Sequence, residues 1–156
     1  MSIFKETDVV QFAIRMEEDG ELFYREVANR SEKFEVKKLF NELASEEADH
    51  KRTFEEFLLK VDSFEPPEDY PGEYMNYIHN YIDSNAIFSG DKETALAKST
   101  NVAQVLEFAI QREIDSILYY NELKAFVPVD EHATLDMIID EERKHFSKLS
   151  NAKKNL

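Results

Sequence analysis

Phe12-Ala13-Ile14-Arg15-Met16-Glu17-Glu18-Asp19-Gly20-Glu21-Leu22-Phe23-Tyr24 recurs 96 residues later as Phe108-Ala109-Ile110-Gln111-Arg112-Glu113-Ile114-Asp115-Ser116-Ile117-Leu118-Tyr119-Tyr120. Seven of the thirteen pairs are identical, namely Phe, Ala, Ile, Glu, Asp, Leu and Tyr. Unrelated segments of this length share about one residue, so the match marks an internal repeat. A second pair of segments matches at an offset of 95: Glu46-Glu47-Ala48-Asp49-His50 over Glu141-Glu142-Arg143-Lys144-His145. The chain therefore reads as a duplicated helical hairpin. Its two copies should pack about a pseudo-two-fold axis and bring equivalent residues face to face.

Periodicity of 3.6 extends this reading along the chain. The first helix runs from about Thr7, as N-cap, to about Asn29, and the second from about Lys33 to Val61. The third follows the cap signal Ser99-Thr100-Asn101 and ends near Phe126. The fourth starts near Asp130, after Pro128, and ends near Lys148. Short joints at Arg30-Ser31 and at Val127-Pro128-Val129 suit antiparallel hairpins. Between the hairpins lies a long stretch, Asp62 to Thr100, with Pro66-Pro67, Pro71-Gly72 and the aromatics Tyr74, Tyr77 and Tyr81. It reads as a crossover with a short fifth helix. The expected fold is an all-α four-helix bundle of two duplicated hairpins joined by a long crossover, a single domain over residues 1–156.

Several acids sit where surface acids should not. In the first helix Val10, Ala13, Glu17, Gly20 and Tyr24 follow 3-4-3-4 spacing and share one face. In the third helix the same face reads Leu106, Ala109, Glu113, Ser116 and Tyr120. Each Glu lies inside a core-like stripe with small neighbours that leave room for its carboxylate. The second helix shows Leu39, Phe40 and Leu43, then Glu47 and His50, then Phe54, Phe57 and Leu58. The fourth shows Leu135, Ile138 and Ile139, then Glu142 and His145, then Phe146 and Leu149. Spacing of i, i+3 sets each Glu-His pair on one side of its helix.

Four carboxylates meeting in a core are severely unfavourable unless compensated. No Lys or Arg falls on the same faces in this reading. Two divalent metals would balance the four charges, and two neutral imidazoles would complete the ligand set. One Glu from each of two helices, with Glu-x-x-His from the other two, is the di-iron carboxylate pattern. Carboxylate and imidazole without thiolate suit iron or manganese. Zinc or manganese can substitute for iron where availability decides.

Other residues carry weaker signals. Tyr24 and Tyr120 follow the core Glu by two turns, so each phenol is placed either to hydrogen-bond a ligand carboxylate or to fill the core. Glu46 and Glu141 have ligand spacing too, but the apolar seams centre on Glu47 and Glu142. His79 and His132 lack the paired Glu and read as surface or loop residues. Glu21 has Ile117 as its counterpart, and Met16 has Arg112, which gives no support for a haem ligand.

Composition excludes much else. Hydrophobic residues make up 42% of the chain and charged residues 33%, a globular balance. The absence of cysteine removes disulfides, thiolate nucleophiles and thiolate-held clusters. No apolar run is long enough to span a membrane, and the N-terminus has no apolar signal core. A cytoplasmic protein is expected. A formal net charge of −14 repels phosphate backbones, so no nucleic-acid partner is expected. The long crossover and its tyrosines predict a homodimer, with hairpin exchange as one route.

The segments Ala13-Ile14-Arg15-Met16-Glu17-Glu18-Asp19-Gly20-Glu21-Leu22-Phe23-Tyr24, Glu46 to His50, Leu106 to Tyr120 and Glu141 to His145 resemble the rubrerythrin group of the ferritin-like superfamily. The resemblance implies terminal ligands Glu17 and Glu113, bridging ligands Glu47 and Glu142, and imidazole ligands His50 and His145. It implies a non-haem di-iron centre that reacts with hydrogen peroxide or dioxygen. Typical members carry a rubredoxin domain held by cysteines; this sequence resembles the shorter, erythrin-like members. Electrons would then come from a separate donor protein or a small reductant. Members also tend to have a further carboxylate one turn before the Glu113 position, where this chain has Ile110. The six-ligand set is in that respect closer to ferritin and bacterioferritin ferroxidase sites. Peroxide reduction is the expected activity, with ferroxidase and iron storage, or a non-catalytic metal-binding structural module, as alternatives.

Overall fold

A computed structural model describes residues 6–61, 76–78, 80 and 96–156. Four long helices carry the structure: α1 (Glu6–Arg30), α2 (Phe34–Val61), α3 (Val102–Leu123) and α4 (His132–Lys154). No strand occurs among the described residues. The α1–α2 and α3–α4 pairs form the expected hairpins. The second hairpin turns through two short 3-10 segments, Lys124–Phe126 and Val129–Glu131, on either side of Val127-Pro128. Among the described residues no helix is long and apolar enough to cross a membrane.

The helix ends differ from the sequence reading in three places. Thr7 is not an N-cap, because α1 already includes Glu6. The third helix stops at Leu123 and tightens into 3-10 geometry before Pro128, which cannot continue a helix. The fourth continues six residues past Lys148 to Lys154, since nothing between Ser150 and Lys154 breaks it. Asn101 does cap α3: it is extended (φ −84°, ψ 94°) and its side-chain oxygen accepts from the Gln104 N–H at 3.2 Å.

Within the crossover, residues 76–78 and 80 are helical. Tyr77 is exposed there, while Ile78 is fully buried in the core. Tyr74, His79 and Tyr81, with the rest of the expected short helix, lie outside the described residues.

The core has two apolar layers. One contains Val10, Phe12, Phe54, Phe57, Tyr119, Leu123, Phe126, Leu135 and Ile138. The other contains Phe23, Val27, Phe40, Leu43, Val105, Leu106 and Leu149. Each buried Phe or Leu contributes about 1.5–3 kcal/mol relative to exposure. Glu17, Glu47, Glu113 and Glu142 lie between these layers along their helices. The apolar layers hold a polar layer that would not assemble by itself.

Candidate metal centre

All six predicted ligand residues meet in that polar layer. Glu142 and His145 are fully buried, and Glu17, Glu47, His50 and Glu113 are at most 5% exposed. They form two overlapping sets, Glu17-Glu47-His50-Glu142 and Glu47-Glu113-Glu142-His145. Within each set one ligand atom from every residue lies within 4.8 Å of the others. That span is close to twice a metal–ligand bond of roughly 2.1 Å.

Glu47 and Glu142 belong to both sets, and each divides its oxygens between the two halves. Glu142 Oε1 is 3.1 Å from His50 Nδ1, and its Oε2 is 3.0 Å from His145 Nδ1. Glu47 Oε2 is 3.6 Å from His50 Nδ1, and its Oε1 is 3.8 Å from His145 Nδ1. Each of these two carboxylates thus faces both imidazoles. The imidazole rings stack, with centroids 5.7 Å apart and planes 22° apart.

Glu17 and Glu113 each face one half only. Glu17 Oε2 is 3.6 Å from His50 Nδ1, and Glu113 Oε2 is 3.6 Å from His145 Nδ1. Neither Oε2 has a hydrogen-bond partner, although both are buried. A buried carboxylate oxygen without a hydrogen bond is costly, and the residue type and its aim fit a metal bond. Two dications would neutralise the four carboxylates and engage both orphaned atoms. The residues therefore fit a pair of metals.

The surroundings hold these groups in place. Tyr24 donates its phenol proton to Glu113 Oε1, and Tyr120 donates to Glu17 Oε1. Each tyrosine thus serves the terminal Glu of the opposite hairpin, which leaves Oε2 of that Glu facing inward. Burial and the adjacent carboxylates push both phenols well above their usual range, so they remain proton donors.

Glu46 and Glu141 are not in either ligand set. Glu141 accepts from His50 Nε2 at 2.5 Å, and Glu46 accepts from His145 Nε2. Again the pairing crosses between hairpins. An Nε2–H held by a carboxylate fixes the ring and leaves Nδ1 toward the centre. This role was missed in the sequence, where Glu46 and Glu141 read only as ligand candidates set aside. The doubled Glu-Glu at matching places in both repeats was the available signal.

One expectation needs correction. A cation does enter the polar layer: Arg112 is 7% exposed, donates from Nη2 to the Met16 carbonyl at 2.7 Å, and lies against Gly20 as Glu47 does. It precedes Glu113 on α3 and reaches across to α1, so the face count overlooked it. His132 opens α4, half-buried, with Nε2 3.2 Å from the Val127 carbonyl and apart from the centre.

Protonation follows from the same geometry. Burial pushes Glu47 up, and Glu142 and Glu17 push it further. Burial would lower His145, but Glu113 and Glu142 overcome that and raise it to about 12. His50 is raised in the same way, against burial, by Glu142, Glu17 and Glu47. In the metal-free chain each imidazolium donates from both nitrogens. The unfolded reference for His145 is 6.5, below its folded value. Its contribution to metal-free stability is complete below that reference and is lost as pH rises toward 12. Metal loading displaces these protons, so metal affinity rises with pH. Calorimetry in two buffers of different ionisation enthalpy should show proton release on loading. Binding heats independent of the buffer would contradict this.

Comparison with known proteins agrees with the geometry. The Rubrerythrin family profile matches residues 8–153. A solved structure from Thermotoga maritima, described as a ferritin-like diiron-carboxylate protein, superposes with a TM-score of 0.69. It is 30% identical, and the match covers 99% of this chain and 97% of that one. No curated protein matches the sequence.

Proposed function

The chain belongs to the rubrerythrin family, and on that premise we propose that it is a non-haem di-iron oxidoreductase that reduces hydrogen peroxide. The observation that carries this reading is the pair of ligand sets sharing Glu47 and Glu142, with an orphaned oxygen on each terminal Glu. Glu17 and His50 would hold one iron and Glu113 and His145 the other, with Glu47 and Glu142 between them. Bound as a ferrous pair, the metals supply two electrons and the Lewis acidity that O–O cleavage needs. The reaction consumes one peroxide, two electrons and two protons and yields two waters. Dioxygen is the second candidate oxidant.

The chain's own residues do the rest. The two apolar layers exclude bulk water. Tyr24 and Tyr120 fix the terminal carboxylates, and Glu46 and Glu141 fix the imidazoles. A groove of about 450 Å³ between α2 and α4 opens onto the outer side of His50, lined also by Glu46, Met137, Glu141, Lys144 and Lys148. Half-exposed Glu46 and Glu141 hold the Nε2–H of each imidazole at the solvent edge of the centre. Electrons would come from a donor outside the centre, a separate protein or a small reductant. A homodimer remains part of the proposal. A single chain nevertheless supplies all six residues of the centre.

Anaerobically iron-loaded, reduced protein should consume one peroxide for every two irons oxidised, faster than it reacts with dioxygen. Native mass spectrometry should find two metals per chain, and the intact mass should correspond to two chains. One metal or none after anaerobic loading would contradict the site. A second reading, ferroxidase, is favoured by Ile110, half-buried where related proteins tend to have a further carboxylate. Faster oxidation by dioxygen, with uptake of many irons per chain, would establish that reading instead.

A further inference from the structure

The duplication makes the two halves of the centre nearly equivalent, and Arg112 is the largest buried departure from that equivalence. Its repeat counterpart is Met16, and the residue it packs on, Gly20, has Ser116 as counterpart. A Cβ on Gly20 would come within 2.9 Å of Arg112 Nη2 and 3.6 Å of Glu47 Cδ. The guanidinium and a shared carboxylate thus flank the same glycine. The exchange is paired: where the arginine lies, its neighbour has no side chain, and where the neighbour is serine the arginine position is methionine.

The placement is one-sided as well. Both imidazoles turn their Nε2 atoms toward Glu46 and Glu141, at the groove between α2 and α4. Arg112 bridges α3 to α1 through the Met16 carbonyl, at the opposite seam of the bundle. Its guanidinium interacts with Asp19 and Asp115, half-buried repeat counterparts of one another. A main-chain oxygen holds the guanidinium in place, and the charges of Asp19 and Asp115 act on it.

We propose that Arg112 is a positioning residue that sets the reduction potential of the metal pair, through the permanent charge of a guanidinium that lies against Gly20 together with Glu47, away from the imidazole Nε2 atoms. The inference rests on the di-iron reading above. A fixed positive charge in a low-dielectric interior disfavours the more highly charged oxidised pair and so raises the potential. Arginine suits the task because it stays protonated when buried.

The test is a mediated redox titration of the iron-loaded protein at one fixed pH, for the wild type and for Arg112→Gln, Arg112→Met and Arg112→Lys. Gln can keep a donor for the Met16 carbonyl without the charge. Met copies the other repeat and guards against a Gln variant that fails to fold. Lys keeps the charge. Gln and Met should both shift the potential to more negative values, and Lys should stay near wild type. An unchanged potential in both neutral variants would overturn the proposal. So would a Lys variant that shifts as far as Gln, because packing rather than charge would then be responsible. A wild-type iron couple that cycles but does not pass electrons to peroxide would defeat the proposed reaction and leave this result readable. Absence of any reversible iron couple would defeat both.

Discussion

Glu47→Ala is expected to remove both metals and all turnover with peroxide, whereas His50→Ala should remove one metal and spare most of the other. The difference follows from the geometry of sharing. Glu47 belongs to both ligand sets, with one oxygen toward each imidazole. His50 belongs to one set only. Removing a group that merely supports a ligand costs roughly 10–100-fold in metal affinity. Loss of a ligand itself should exceed that, and loss of a shared ligand should apply at both positions. Turnover should collapse in both variants, since a two-electron reduction draws on both irons. Metal content therefore discriminates where activity does not. Loss of a single metal from both variants would show that Glu47 does not bridge. Full activity in either would show that these residues are not the reaction centre. Circular dichroism should remain helical in each, because the apolar layers on either side are untouched.

Why the six candidate ligands and the two tyrosines beside them were legible in the sequence, and the partners of Glu46, Glu141 and Arg112 were not, has a physical cause. Ligands must point inward, so each interrupts a stripe that periodicity detects: Glu17 between Ala13 and Gly20, Glu113 between Ala109 and Ser116. The duplication then tested every candidate twice. The supports act between hairpins instead. Tyr24 reaches Glu113 and Glu141 reaches His50 only because the pseudo-two-fold axis crosses the copies. Spacing along one helix carries no record of such crossings. Arg112 escaped for a related reason. A long side chain can start off the core face and end in the space above Gly20. A count of residues on faces registers where a side chain begins and misses where its charge arrives. The helix ends that differed, Glu6 and Lys154, are places where no cap or breaker marks the sequence.

Removing the metals should lower the melting temperature by roughly 15–30 °C, the largest stability change expected for this chain without mutation. Each tightly held ion stabilises the fold by linkage, by about 4 kcal/mol when free metal is 1,000 times its Kd. For a chain of this length, each kcal/mol moves the midpoint by about 2–4 °C. Two ions therefore give the range stated. The metal-free chain does not lose the whole of the metals' charge compensation. Its imidazolium groups and a protonated Glu47 take over part of it, as their raised proton affinities indicate. These substitutes weaken as pH rises, because deprotonation restores like charges to a buried layer. The gap between metal-loaded and metal-free melting temperatures should accordingly widen from pH 6 toward pH 9. Thermal scans with and without a chelator across that range would measure it. A constant gap would mean that the folded, metal-free chain holds no extra protons at the centre. No gap at all would mean that the metals bind outside the layer formed by Glu17, Glu47, His50, Glu113, Glu142 and His145.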